Sequence, residues 1–263
     1  MAEGDTLARI ADVLLDVLVG REVLVARGRP GGPRLERAVG RKVESVRAQG
    51  KHLLIGFETG LTLHTHLALH GSWHRYHAGE RWRRPKSRAV AVIETADTVA
   101  VCFDAPTVEL LDTRALAIHP WLSRLGPDTL AADFDAAAAV KRVRTLAAPE
   151  MPIGEALLDQ RLVAGLGNVY RSELCFIERA NPFAPVSSLS DEKLAALLDR
   201  GARLLRANRG GGRRVTTAPG TAGASYVYGR TGRPCRRCGT AIVNRAAGSP
   251  PRRVYWCPRC QTE

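Results

Sequence analysis

An α+β protein of several parts is predicted by three features of the chain. A helix-periodic N-terminal stretch runs into a series of short strand-like segments. An alanine-rich helical region follows, and the tail carries four cysteines. Leu7, Ile10, Ala11, Leu14, Leu15 and Leu18 recur at helical spacing, which predicts a helix over 7–20 with Asp5 or Thr6 as its cap. Strands are expected over 22–26, 42–47, 52–57, 61–66, 89–94, 98–103 and 108–112, where β-branched residues sit between turn formers. One helix and many short strands suggest a β-sandwich with flanking helices over residues 1–125. Helices are then expected over 129–146, 152–159, 169–177 and 191–208, and the Gly-, Thr- and Arg-rich stretch 208–223 reads as a loop.

The charge balance narrows the partner. Lys and Arg number 39 against 26 Asp and Glu, a net +13, and this points to a polyanion. Arg dominates the basic set, and its planar fork suits phosphate. No apolar run reaches the roughly 18–20 residues of a membrane span. The N-terminus has acids where a secretory signal needs bases, so a cytoplasmic location is expected.

Cys235-x-x-Cys238 and Cys257-x-x-Cys260 are two knuckles with the spacing of a four-cysteine zinc ribbon. Four thiolates would close the shell of one structural Zn2+. Metal binding would give so short a unit the stability its small core lacks. Arg236, Arg237, Arg245, Arg252, Arg253 and Arg259 lie in this unit and suggest a DNA-contacting hairpin. Upstream, Gly165-Leu-Gly167-Asn168 joins two helical segments. The glycines permit a tight turn that leaves backbone N–H groups bare at the next helix, a ready phosphate site. Asn168 can cap that helix or donate to phosphate, and Arg161 stands nearby.

These pieces fall in a familiar order. The start M-x-E-G-D-T, the Gly50-Lys51-His52 segment, LLDQRLVAGLGNVYRSELCF, VYGRTGRPCRRCGT and the closing YWCPRCQ resemble the formamidopyrimidine-DNA glycosylase / endonuclease VIII family. The start and the ending look more like the endonuclease VIII branch, and most like its second paralogue in high-GC bacteria. This resemblance implies an N-terminal β-sandwich (1–125), a helix–two-turns–helix domain (126–215) and a C-terminal zinc-finger β-hairpin (216–263). It implies a bifunctional DNA glycosylase/AP lyase that flips oxidised bases, pyrimidines above all, out of DNA for base excision repair. The partner would be double-stranded DNA with damaged bases or abasic sites, with single-stranded or bubble DNA as a further substrate. The protein would be a monomer, gathered at the nucleoid by DNA binding.

Residue roles follow from the same resemblance. With Met1 removed, the Ala2 amine would attack the sugar. Glu3 would be the proton donor, and Lys51 and Arg252 would assist elimination at the phosphates. Arg161 and Asn168 match phosphate-binding positions. Ala68, Leu69 and His70 would form the void-filling tip, with Leu69 as the wedge. Arg209, Arg213 and Arg214 resemble a flexible loop near the base pocket. The chain departs from the family at residue 2, where proline is the norm. Alanine's primary amine gives an imine that can lose its proton, a poorer electron sink than proline's iminium. An alternative expectation is therefore a damaged- or abasic-DNA-binding protein with weak or no catalysis. His64 and His66 share one strand face. Without a carboxylate or cysteine nearby in sequence, they suggest structural or DNA-facing roles rather than a second metal site.

Overall fold

The computed structural model describes residues 2–262, which form two compact units divided between Arg124 and Leu125. The first opens with α1 (Gly4–Leu18). Its N-cap is Glu3, whose carbonyl accepts from the N–H groups of Thr6 and Leu7 at 2.9 and 3.1 Å. The helix therefore starts before Asp5 and Thr6, and neither is the cap. Asp5 Oδ1 accepts from the Thr6 N–H at 2.7 Å inside the first turn.

Eight strands follow in this unit: β1 (Val25–Gly28), β2 (Val43–Gln49), β3 (His52–Phe57), β4 (Thr62–His66), β5 (Ser72–His77), β6 (Ala89–Glu94), β7 (Thr98–Phe103) and β8 (Thr107–Leu111). They pair in two antiparallel sheets, β1-β6-β7-β5 and β2-β3-β4-β8. β5 was not expected from sequence. Its Trp73 enters the inter-sheet core while Tyr76 packs on the opposite face, so no clean two-residue alternation marks it. Leu7, Leu14 and Leu18 of α1 join Leu53, Ile55, Phe57, Leu63, Ala100 and Cys102 in that core. Each fully buried Leu, Ile or Phe contributes about 1.5–3 kcal/mol. α2 (Thr113–Ala117) follows β8 and is capped by Asp112, whose Oδ1 accepts from the Ala115 N–H at 2.7 Å.

The second unit holds α3 (Ala136–Leu146), α4 (Ile153–Ala156), α5 (Asn168–Ile177), α6 (Asp191–Ala207) and the hairpin β9 (Val243–Ala247) and β10 (Arg252–Trp256). α3 is shorter than expected because side chains upstream bond elsewhere. Thr129 donates its hydroxyl to the Ala164 carbonyl at 2.8 Å, and Asp128 accepts from the Leu130 N–H at 2.9 Å. The helix begins only where Asp135 caps it, accepting from the Ala137 N–H at 2.8 Å. Phe176 of α5 packs with Val227, Cys235, Ile242 and Cys257, so the cysteine hairpin shares a small core with the helices. Cys102 and Cys175 are buried in the two units as inert small hydrophobes, and burial pushes the Cys175 thiol up to about 12.

Candidate DNA-lesion site

In the first unit, Ala2 is half-buried against the sandwich core, and Glu3 beside it is fully buried. Burying a carboxylate is costly, and such carboxylates concentrate at working sites. Lys51 stands in the two-residue turn between β2 and β3, beside Gly50 at φ +57 and next to the closing pair Gln49–His52. The turn after β4 carries the predicted wedge. Leu69 is 59% exposed at its tip and His70 is exposed beside it. The Gly71 N–H closes the turn on the Leu67 carbonyl at 2.8 Å. A Cβ at Gly71 would stand 2.5 Å from that carbonyl oxygen, so only glycine fits. Ala68 is held at φ +48, a left-handed conformation that costs alanine about 1 kcal/mol. Such strain is retained where a local shape matters.

In the second unit, the GLGN turn is braced by Thr129 and Gln160, which no sequence pattern marks. Gly165 takes φ +101, and a Cβ there would lie 2.6 Å from the Thr129 hydroxyl. Gln160 accepts from the Gly165 N–H at 3.0 Å and donates to the carbonyls of Leu158 and Leu166 at 2.9 and 3.1 Å. The cap of α5 is Gly167, not Asn168. Asn168 is the first helical residue and is buried. Its amide donates to the Arg253 carbonyl of β10 at 3.0 Å, and its oxygen accepts from Arg171. Arg171 also donates to that carbonyl at 3.1 Å. The start of α5 is thereby fastened to the strand that opens with Arg252.

Arg252 is exposed and lines a hollow of about 260 Å³ with Glu155, Asp159 and Arg171. Asp159 holds Arg161 through a 2.6 Å ion pair. That hydrogen bond keeps the Asp159 carboxyl below its ordinary range, and it raises Arg161. The structure thus gathers Arg252 and the partner of Arg161 around one hollow. It commits the Asn168 side chain to the protein itself.

The four cysteine sulfurs lie within 4.8 Å of one another, with Cys238–Cys257 at 3.5 Å and Cys235–Cys260 at 4.0 Å. A zinc ion bound tetrahedrally by sulfur at about 2.3 Å needs S–S separations of about 3.8 Å, so the donor set fits. Several of the arginines around it serve the fold. Arg237 donates to the last carbonyls of α5, Phe176 and Ile177, at 3.1 and 3.3 Å and stacks on the Phe176 ring. Arg245 lies 3.5 Å over the Phe183 ring, and Arg236 donates to the Ser225 carbonyl at 3.1 Å. A wholly DNA-facing set of hairpin arginines is therefore not what forms. Cations bond helix C-termini and stack on aromatic faces for the same reason they seek phosphate.

Two further residues stand out only in three dimensions. Gln261 accepts from the Cys257 N–H at 2.8 Å and donates to the Ala180 carbonyl at 3.0 Å, tying the second knuckle to the chain beyond α5. Glu173 is fully buried in α5. Its oxygens accept from the N–H groups of Tyr226, Val227 and Tyr228 at 2.7, 2.8 and 2.7 Å, and from the Thr216 hydroxyl.

The histidine face also differs from expectation. His64 does meet a carboxylate: its Nδ1 lies 2.7 Å from Glu109 Oε2, and His119 Nε2 lies 3.0 Å from the same oxygen.

Known proteins resemble this chain along its whole length. Residues 1–117 match the formamidopyrimidine-DNA glycosylase N-terminal domain, and residues 125–217 match the formamidopyrimidine-DNA glycosylase H2TH domain. Probable endonuclease 8 2 of Streptomyces coelicolor is 42% identical, covering 99% of this chain and 94% of its own. The DNA-(apurinic or apyrimidinic site) lyase Nei2 of Mycolicibacterium smegmatis is 38% identical, covering 100% of this chain and 99% of its own. Among solved structures, Lactococcus lactis Fpg in complex with abasic site-containing DNA superposes with a TM-score of 0.82 at 23% identity. That match covers 99% of this chain and 100% of that one. The sandwich, the helical region and the cysteine hairpin thus occur in a known order, and the chain belongs to the formamidopyrimidine-DNA glycosylase family.

Proposed function

We propose that this chain is a bifunctional DNA glycosylase/AP lyase of base excision repair, acting on oxidised bases and on abasic sites in duplex DNA. The observation that carries the reading is a fully buried carboxylate, Glu3, one residue beyond the candidate nucleophile Ala2. An α-amine titrates near 7.7–8.0, so a useful fraction is unprotonated at neutral pH. Its lone pair attacks the sugar C1′ as the bond to the base breaks. Glu3 supplies the proton that opens the ring, leaving an imine. Removal of a C2′ proton then expels the 3′ phosphate, and a second elimination expels the 5′ phosphate. Lys51 and Arg252 hold the phosphates through these steps. Leu69 fills the space left by the flipped base, with His70 beside it. Arg161 and the positive end of the α5 dipole bind the backbone.

Division of labour follows the three expected parts, with chemistry in residues 1–125, backbone binding in 126–215 and the hairpin in 216–263. A structural zinc on Cys235, Cys238, Cys257 and Cys260 would lock that hairpin. With four sulfur ligands it leaves no open position for chemistry. Atomic absorption should find one zinc per chain, lost in a Cys257→Ser variant. The binding-only alternative is not favoured, since a relative 38% identical over the full length carries the name of a lyase.

Borohydride trapping on an abasic-site duplex tests the reading, with mass analysis of the N-terminus. An adduct on Ala2 supports it. No adduct from protein shown to begin at Ala2 refutes the lyase chemistry.

A further inference from the structure

The outer face of the β2-β3-β4-β8 sheet carries a cluster with the donor types of a metal site: His64, Glu109 and His119, with ligand atoms within 4.8 Å of one another. Sheet register builds it. His64 on β4 is directly opposite Glu109 on β8, and His52 on β3 is one step diagonal to His64. His119, in the segment beyond α2, stacks edge-on against His64 with ring centroids 5.0 Å apart.

The hydrogen bonds around the cluster fix its protons, and the pattern argues against a metal. His119 Nδ1 faces two donors, the N–H groups of Trp121 and Leu122, at 3.4 and 3.3 Å. That nitrogen must accept, so the ring proton sits on Nε2 and is donated to Glu109 at 3.0 Å. A metal-bound Nε2 would need the reverse, with Nδ1 protonated and donating to an acceptor. Glu109 Oε2 also takes the proton of His64 Nδ1 at 2.7 Å, closer than two ligands of one zinc ion would stand. His64 Nε2 is then an acceptor, and it takes the Nδ1 proton of His52 at 2.8 Å. Every proton is placed and points toward the carboxylate: His119 donates directly, and a single line runs from His52 through His64.

That line begins beside Lys51. His52 is 5% exposed and is the residue that closes the Gly50-Lys51 turn. Anchoring its ring fixes the twist of β3 at its first residue, and with it the direction in which the turn presents Lys51. We propose that His52, His64, Glu109 and His119 form a proton-ordered hydrogen-bond chain, rather than a metal centre, that positions Lys51 for elimination. The proposal rests on the reading of Lys51 given above. Burial agrees with neutral rings. It lowers His64 and takes His52 down to about 3, and the repulsion that protonated His64, His66 or His119 and the Lys51 charge would exert on a charged His52 acts in the same direction.

The test is the elimination rate on a preformed abasic duplex for His64→Phe, in the parent and in a Lys51→Ala background. His64→Phe should slow elimination about ten- to a hundredfold in the parent. In the Lys51→Ala background it should add less than about twofold, because the residue it positions is gone. Equal losses in both backgrounds would overturn the proposal. Should His64→Phe fold poorly, Glu109→Gln and Glu109→Leu serve instead. The glutamine oxygen can still accept both protons, so it should lose far less than leucine. Comparable losses would overturn the chain. If Lys51→Ala itself leaves elimination unchanged, the reading of Lys51 fails and the positioning claim falls with it. Histidine ¹⁵N shifts and metal analysis report on the chain separately. The proposal expects neutral His64 protonated on Nδ1, neutral His119 protonated on Nε2 and a single metal per chain. A second metal lost with His64→Phe would overturn it.

Discussion

Replacing Glu173 with Gln keeps the size of the side chain and should undo the junction between α5 and the segment leading into the cysteine hairpin. The wild-type carboxylate accepts two bonds on each oxygen. Val227 and Tyr228 bond one oxygen, and Tyr226 and Thr216 bond the other. Glutamine turns one oxygen into an NH2 group. With the NH2 toward Val227 and Tyr228 two N–H groups face a donor; turned the other way only the Tyr226 N–H does, because the Thr216 hydroxyl can accept from the amide and donate to the Ala224 carbonyl instead. A buried donor left without its acceptor costs about 1–3 kcal/mol, so the change, in the cheaper orientation, should destabilise the junction by about 1–3 kcal/mol. Because 1.4 kcal/mol is a factor of ten, amide hydrogen exchange at residues 226–228 should accelerate by about tenfold or more per orphaned N–H. Mass-spectrometric exchange on a peptide spanning these residues reads this directly, with β3 peptides as an internal control. Protection at 226–228 within twofold of wild type would show that the carboxylate does not hold this segment.

Three further outcomes are expected. Ala2→Pro should raise the rate of strand cleavage on abasic duplex, since the iminium cannot lose its charge; unchanged single-turnover rates would show that the amine's class does not limit the reaction. Leu69→Ala should slow excision from duplex while leaving the reaction on single-stranded DNA unchanged, since only a duplex has a gap to fill. Equal slowing on both would remove Leu69 from the wedge role. Stability should fall on acidification from pH 6.5 toward 3. His52 stays neutral in the folded protein down to about 3, while the unfolded chain takes up that proton near 6.5. The slope approaches about 1.4 kcal/mol per pH unit for this group. Urea midpoints across that range should show it, and His52→Gln should flatten the profile.

Sequence carried much of the architecture because the signals were local. The strands 52–57, 89–94 and 98–103 appear with the expected bounds, since short apolar runs between turn formers leave little choice. Two C-x-x-C pairs announced a four-sulfur cluster for the same reason. Long-range pairing was not legible. Period two puts His64 and His66 on one face, but the carboxylate that meets His64 lies at Glu109, and only the β4–β8 register brings it there. Nothing in the sequence marked Glu173, because three of its donors are backbone N–H groups of residues 226–228, which no side-chain pattern encodes. Asn168 read as a cap or a phosphate donor, because asparagine at a helix start so often is one or the other. The approach of β10 turned it into a tether instead.

That tether has a consequence for how freely this protein can change. Asn168 and Arg171 grasp the main-chain carbonyl of residue 253, not its side chain. The arginine there makes a separate bond to Asn244 across the hairpin at 3.2 Å. Position 253 can therefore drift among many amino acids without loosening the hairpin from α5. Positions 168 and 171 cannot, because the grip is stored in them alone. Libraries randomised at these three sites should return a broad spectrum at 253 and a narrow one at the other two.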